Sequence, residues 1–183
     1  MARFHPAIDE RLAAFIAAQR LFFVATAPRR GRVNLSPKGG DVFRVLAPLR
    51  VAWLDVTGSG NETAAHLLDD GRVTVMFCAF EGEPNILRLF GRARGVLPGD
   101  GEWDGLAALF PAQPGRRQVF VMEVEAVQTS CGFGVPLYAY QGERPDLAAW
   151  AERKGEAGLR AYRRDRNAVS IDGLPTGMKV EEE

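Results

Sequence analysis

The stretch FFVATAPRRGRVNLSPKGG, residues 22–40, decides the class of fold that this chain adopts. Residues 22–27 are apolar and rich in the aromatic and β-branched side chains that favour strands. Residues 28–31, Pro-Arg-Arg-Gly, form a turn signal, and residues 32–36 then alternate polar and apolar side chains as a second strand does. A connection this short joins antiparallel neighbours, because parallel strands need a crossover of a dozen or more residues.

The same short connections recur along the rest of the chain. Apolar patterning predicts further strands at residues 42–46, 51–55, 72–79, 86–96 and 119–129. Helices are predicted at about 7–20, 62–70, 102–110 and 146–163, the last broken near Gly155 and Gly158. We therefore expect a mainly β protein of the α+β type, an antiparallel barrel or sandwich with flanking helices.

Length and composition favour one domain over residues 1–183. A chain of 183 residues with 46% hydrophobic residues can bury one good core. We expect an N-terminal helix at about 7–20 and a helical C-terminal extension at about 145–183, in which residues 181–183 form a frayed acidic tail.

Charge and hydropathy limit the partners. Lys plus Arg and Asp plus Glu number 23 each, so the formal net charge is zero. The composition therefore has no excess of basic residues of the kind that indicates nucleic-acid binding. No apolar run approaches the roughly 20 residues of a membrane span, and the N-terminal residues 1–16 do not resemble a signal peptide. We expect a cytoplasmic protein whose two cysteines, Cys78 and Cys131, are reduced thiols.

The segment VAWLDVTGSGNETAAHLL, residues 51–68, joins a strand to a helix through a loop rich in glycine and hydroxyl groups. Unpaired backbone N–H groups at a helix start attract anions, and glycines let the backbone approach a phosphate closely. The loop is therefore either a phosphate cradle or an ordinary strand–turn–helix connection in which Asn61 caps the helix.

The preceding strand offers a polar face. Arg32, Asn34, Ser36 and Lys38 alternate with apolar residues, so that in an extended chain the four polar side chains lie on one side. A solvated edge strand would show the same alternation. All four groups can donate to an anion, however, and no acid follows until Asp41, so the pattern favours a ligand.

Five blocks of sequence carry a resemblance to a known family. In order along the chain they are FFVATAP, GRVNLSPKG, WLDVTGSGNETAAHLL, RVTVMFCAFEGEPNILRLFGRARG and TSCGFGVPLY. These blocks resemble the FMN-binding split-barrel proteins related to pyridoxamine 5'-phosphate oxidase, in a branch separate from the oxidases proper. The resemblance covers about residues 15–140, with Asn167 and SIDGLP, residues 170–175, also similar to that branch.

The resemblance implies a six-stranded antiparallel split barrel and a homodimer with one FMN in each of two clefts at the subunit interface. It also implies a set of cofactor-binding residues. These are Asn34, Ser36 and Lys38 on the strand and Thr57, Gly58, Ser59, Gly60, Asn61, Glu62 and Thr63 at the loop and helix start. Cys131, in a block with two glycines, either meets the flavin ring or is a buried thiol in a glycine-rich turn.

The loop departs from the oxidases proper. Those proteins place Gly-Ser-Arg-Lys at the helix start, where this chain has Gly60, Asn61, Glu62 and Thr63, so both cations are missing. Glu62 would repel a phosphate dianion unless its side chain turns away or caps the helix. These differences affect the expected affinity and substrate more than the expected fold.

An FMN-dependent oxidoreductase with an unidentified small-molecule substrate is therefore the leading functional hypothesis. The alternatives are a non-catalytic binding protein for flavin, deazaflavin or haem, and a dimeric scaffold whose cleft is vestigial. No side chain stands out as a catalytic acid or base. No metal site is expected, because Glu62 and His66 form a lone metal-like pair and His5 is the only other histidine.

Overall fold

The computed structural model describes residues 2–178, which form eight strands and four helices. The strands are β1 (Arg3–His5), β2 (Leu21–Thr26), β3 (Asn34–Gly39), β4 (Phe43–Ala47), β5 (Arg50–Val56), β6 (Arg72–Cys78), β7 (Ile86–Val96) and β8 (Arg116–Ser130). The helices are α1 (Glu10–Ala18), α2 (Glu62–Asp69), α3 (Trp103–Ala107) and α4 (Asp146–Arg166).

All the strand pairs are antiparallel and belong to one sheet, in the order β3-β2-β6-β7-β8-β5-β4, with β1 paired to β8. The two end strands, β3 and β4, are joined by residues 40–42 alone. A link of three residues keeps these two edges close together, so the sheet curls into a half-barrel. The antiparallel split-barrel fold predicted from the sequence is confirmed.

The number of strands exceeds the six that the resemblance implies. The seven strands predicted from the sequence pattern are all present in the described residues, and β1 is the eighth. A strand of three residues, of which Phe4 is exposed, has too short an alternation to be recognised in a sequence.

The core lies inside the curled sheet, and the neighbouring strands β5 and β8 contribute large rings to it. The rings of Trp53 on β5 and Phe120 on β8 are 5.3 Å apart and fully buried. Helix α1 contributes Leu12 and Ile16 to the same core. Each such large apolar side chain contributes about 1.5–3 kcal/mol when it is removed from water.

Several helix ends differ from the prediction. Helix α1 begins at Glu10 because the Asp9 carboxylate accepts a hydrogen bond of 2.8 Å from the N–H of Leu12. Helix α4 is kinked at Gly155, whose φ of 63° is left-handed, and continues through Gly158 to Arg166. The chain then turns back, and the predicted tail at residues 181–183 lies outside the described residues.

Among the strands that extend beyond their predicted ends, β3 and β8 have the longest extensions, and both of these bear on the site. Strand β3 runs to Gly39 and so includes Lys38, whereas β8 starts at Arg116 and so includes Arg117 and Gln118. The apolar periodicity stops at Val119 because the preceding side chains are polar, although Arg117 and Gln118 are both buried.

Candidate functional site

A cavity of about 330 Å³ lies between β3, the end of β5, the loop after β5 and the start of α2. Its volume is at the lower end of the range of about 300–1,000 Å³ for small-molecule sites. Nine of the eleven residues predicted to bind the cofactor line this cavity, namely Asn34, Ser36, Lys38, Gly58, Ser59, Gly60, Asn61, Glu62 and Thr63. The structure thus brings together the polar strand face and the glycine loop, which are separated in the sequence.

Strand β3 presents its polar face to the cavity. Asn34, Ser36 and Lys38 line it, whereas Val33 and Leu35 point outward and are 74% and 63% exposed. The hydroxyl oxygen of Ser36 is buried and has no hydrogen-bond partner within the described residues. A buried hydroxyl without a partner costs about 1–3 kcal/mol, which makes Ser36 Oγ a candidate contact for a ligand.

Asn34 differs from the expectation that the whole polar face donates to an anion. Its side-chain Nδ2 donates long hydrogen bonds to the hydroxyl oxygens of Thr26, at 3.4 Å, and Thr63, at 3.3 Å. The amide therefore has its carbonyl oxygen, an acceptor, available to the cavity.

Asp55 lines the cavity and is held by two cations. Its Oδ2 accepts hydrogen bonds from Arg117 Nε at 2.8 Å and from Gln118 Nε2 at 2.9 Å, and its Oδ1 lies 3.4 Å from Lys38 Nζ. Burial alone would raise the pKa of Asp55, but the charges of Arg117 and Lys38 and the hydrogen bonds from Gln118 and Arg117 hold that pKa below the ordinary 3.8. Asp55 is therefore an ionised carboxylate at neutral pH.

Asn61 stands at the N-cap position of α2, yet its side chain makes no capping hydrogen bond. Its Oδ1 instead accepts a hydrogen bond of 2.7 Å from Gln118 Nε2, and its Nδ2 donates to the backbone oxygen of Asn167 at 3.4 Å. The interpretation in which Asn61 caps the helix is thus wrong, because tertiary partners take up its amide.

The side chain of Glu62, which lines the cavity, is bound to the C-terminal turn. Both of its carboxylate oxygens accept from the backbone N–H of Ile171 at 3.1 Å. The C-terminal turn thereby engages the acid that would otherwise repel a phosphate.

Thr57 and Cys131 are the two predicted site residues that do not line the cavity. The hydroxyl of Thr57 is buried, donates to the carbonyl oxygen of Gly115 at 3.0 Å and accepts from Arg163 Nε at 2.7 Å. Cys131 is exposed beyond the end of β8, so it is not the buried thiol that was one of its two interpretations.

Backbone packing explains the glycine that follows Cys131. Gly132 has a φ of 67°, and a Cβ there would come within 2.7 Å of the backbone nitrogen of Asn85. The buried thiol is Cys78, whose pKa is raised mainly by burial.

Sequence reasoning missed three polar residues that support the site. Arg117, Gln118 and Asn167 are all buried and hydrogen-bond to one another or to the glycine loop. A signal for the first two was present in the sequence, since an arginine and a glutamine directly precede the apolar run of β8. Asn167 was named by the resemblance, but its position alone gave no partner.

The described residues contain no group of three or more His, Cys, Asp or Glu side chains that could hold a metal ion. His66 Nδ1 lies 3.0 Å from the hydroxyl of Thr26, and His5 Nε2 lies 2.8 Å from the hydroxyl of Thr129. Neither histidine lines the cavity. Among residues 2–178, none of the helices is both long enough and apolar enough to span a membrane.

The fold is an antiparallel split barrel with a polar cavity between its edge strand and a glycine loop. The chain belongs to the pyridoxamine 5'-phosphate oxidase family, because the family model of that description matches residues 8–131. It is 39% identical over 195 residues to the pyridoxamine 5'-phosphate oxidase family protein ustO of Aspergillus flavus, a match that covers 96% of this chain and 78% of that protein. The expected family membership is thus confirmed.

Solved structures agree on the fold. HupZ of Group A Streptococcus superimposes with a TM-score of 0.52 at 20% identity, over 66% of this chain and 91% of that chain. A putative pyridoxamine 5'-phosphate oxidase of Lactobacillus delbrueckii gives a TM-score of 0.53 at 18% identity, over 66% of this chain and 93% of that chain. At these identities the likeness concerns the barrel alone.

Proposed function

We propose that the cavity binds FMN and that the protein is an FMN-dependent oxidoreductase of the pyridoxamine 5'-phosphate oxidase-like type, acting on a substrate still to be identified. The observation that carries the proposal is the buried hydroxyl of Ser36, which has no partner among the described residues and shares a wall with the ammonium group of Lys38. A phosphate oxygen would satisfy that hydroxyl and interact with the cation.

The charges around the cavity are compatible with a phosphate. Two acids line it, but Asp55 is paired with Arg117 and Lys38, and Glu62 accepts from the N–H of Ile171. Lys38 lies 3.4 Å from Asp55 and is the more exposed member of that pair, so its remaining donors can turn to the ligand.

The chain's own residues would bind and orient the cofactor. Ser36, Lys38 and the glycine loop would hold the phosphate, the carbonyl oxygen of Asn34 would accept from a ligand N–H or O–H, and Leu147 would cover an apolar part of the ligand. When bound, a flavin supplies hydride and electron transfer that the side chains cannot.

We also propose that two subunits form the functional unit. The side chains of Val33, just before the edge strand β3, and of Leu35 on that strand are exposed, and Phe133 after β8 is 82% exposed. Large exposed apolar patches mark interaction surfaces, and a cavity of about 330 Å³ is small for a whole flavin nucleotide. A second subunit related by C2 symmetry would cover such surfaces and enlarge the cleft.

The first experiment is purification followed by an absorption spectrum and titration with FMN. We expect a flavin spectrum, or its appearance on reconstitution, and a mass by light scattering of about twice the 20.0 kDa chain mass across a dilution series. Colourless protein that cannot be reconstituted would refute the proposal and favour a vestigial cleft. A Soret band would indicate haem, although neither histidine of the chain lines the cavity.

A further inference from the structure

We infer that the segment at residues 167–176 supports the phosphate site from outside the cavity and that Asn167, together with Arg117, is a positioning residue for the glycine loop. These side chains fix the loop carbonyls so that the loop N–H groups face the ligand. The inference rests on the proposed function and assigns it residues beyond the part of the chain that the family model matches, which ends at residue 131.

Two carbonyl groups of the loop are held by buried side chains. Asn167 Nδ2 donates to the backbone oxygen of Gly58 at 3.2 Å, and Arg117 Nη1 donates to that of Gly60 at 3.0 Å. The same Arg117 Nη1 donates to Asn167 Oδ1 at 2.7 Å. The two side chains therefore form one connected clamp on alternate peptides of the loop.

The clamp fixes the direction of the loop N–H groups. In a trans peptide the N–H points opposite to the C=O of the preceding residue. The N–H groups of Ser59 and Asn61 therefore point away from Asn167 and Arg117, and within residues 2–178 neither has a protein acceptor. Ser59 and Asn61 both line the cavity, and we assign their two N–H groups as the donors of an anion-binding concavity.

The loop glycines fit this role. Neither Gly58 nor Gly60 has a positive φ, so neither is required by its backbone conformation. A Cβ at Gly58 would meet no heavy atom closer than 4.0 Å. Glycine thus leaves room for a ligand, but it also makes the loop easy to reorient, so a clamp is needed to keep the peptides in the binding orientation.

The segment itself is anchored to the site. The hydroxyl of Thr176 donates to the backbone oxygen of Asn167 at 2.7 Å, and Glu62 accepts from the N–H of Ile171. Glu62 occupies a position where the oxidases proper have a cation. In this chain that carboxylate holds the segment that carries Asn167.

The test compares FMN with riboflavin, which lacks the phosphate, by fluorescence titration of the full chain. We expect Asn167→Ala to weaken FMN binding about tenfold, the equivalent of one or two hydrogen bonds, and to leave riboflavin affinity unchanged. Asn167→Asp keeps an acceptor for Arg117 but places an oxygen against the carbonyl of Gly58, so we expect it to lose FMN affinity as well. A purely structural role would weaken both ligands equally.

Ser170→Ala is the matched control. The Ser170 hydroxyl accepts from the N–H groups of Asp172 and Leu174 within the same segment, and no loop contact involves its side chain. We expect this variant to keep the preference for FMN over riboflavin. Equal loss of both flavins, or no loss, in a folded Asn167→Ala protein would overturn the inference.

A second measurement does not depend on variants. Titration of the unliganded wild-type protein with inorganic phosphate, followed by NMR, should shift the backbone amides of Ser59 and Asn61. Absence of these shifts would overturn the proposed orientation of the N–H groups. Wild-type protein that binds FMN no more tightly than riboflavin would instead refute the phosphate site of the proposed function.

Discussion

The carboxylate of Asp55 and the guanidinium group of Arg117 form an ion pair in which both side chains are almost fully buried, with 3% and 4% exposed. One carboxylate oxygen, Oδ2, receives both contacts, at 2.8 Å from Nε and 2.7 Å from Nη2. The remaining guanidinium nitrogen, Nη1, donates to the glycine loop. A single buried arginine thus connects the barrel core to the wall of the candidate site.

Removal of this arginine should destabilise the fold strongly. Arg117→Met leaves the Asp55 carboxylate buried without its main partner, for which we expect a loss of about 3–5 kcal/mol in the free energy of unfolding. Urea denaturation measures the free energy of unfolding. Arg164→Met is the control, because Arg164 pairs with Asp165 at the surface and such pairs contribute at most about 1 kcal/mol. Equal effects of the two substitutions would show that burial of the Asp55 pair is unimportant.

The same pair predicts a pH dependence. The pKa of Asp55 in the folded state lies below 3.8, so folding stabilises its ionised form. This contribution is present in full above the unfolded-state pKa and is lost as the pH falls through the folded-state pKa. The stability gap between wild-type and Asp55→Asn protein should therefore narrow on acidification below about pH 4. A gap that stays constant from pH 7 to pH 3 in urea denaturation would contradict this assignment.

Lys38→Ala should weaken FMN binding by about ten- to hundredfold, because a charge-assisted contact contributes roughly 1.5–3 kcal/mol. Fluorescence titration gives the dissociation constant. Lys154→Ala is a suitable control, since Lys154 lies over the rings of Trp150 and Tyr162 on α4 and does not line the cavity. Unchanged affinity in a folded Lys38→Ala protein would remove Lys38 from the site.

We expect FMN-loaded protein to oxidise pyridoxamine 5'-phosphate at no useful rate. Glu62 and Thr63 stand where the oxidases proper have cations, and Glu62 is bound to the C-terminal turn. An assay for hydrogen peroxide with this substrate measures the activity. Steady peroxide production that requires both FMN and the substrate would show the prediction to be wrong.

Gly91 should tolerate no side chain. It follows an irregularity in the pairing of β7 with β8, and a Cβ there would overlap the backbone carbonyl oxygen of Glu123. Gly91→Ala should cost more than about 2 kcal/mol, because backbone atoms must shift. Gly105→Ala in α3, where a Cβ meets no atom within 4 Å, should instead stabilise the fold by up to about 1 kcal/mol. Thermal melts of the two variants test this contrast.

Local pattern determined much of the fold. Apolar runs and polar–apolar alternation predicted seven strands, and the short connection after the first of them indicated antiparallel neighbours, although in the structure it spans residues 27–33 and not 28–31. The same alternation placed Asn34, Ser36 and Lys38 on the cavity side of β3. These predictions succeed because side-chain direction along a strand depends only on near neighbours in the chain.

The tertiary structure alone decided which polar and charged groups meet. Lys38 is 17 residues from Asp55, Arg117 is 62 residues from Asp55, and Asn167 is 109 residues from Gly58. The sequence indicated that the β3 face was free of acid, yet folding brings the Asp55 carboxylate beside Lys38 and directs Glu62 to Ile171. Hydrophobic periodicity indicates which side of an element is buried. The partner of a buried polar group depends instead on how distant elements pack, because only a specific contact offsets the cost of removing that group from water.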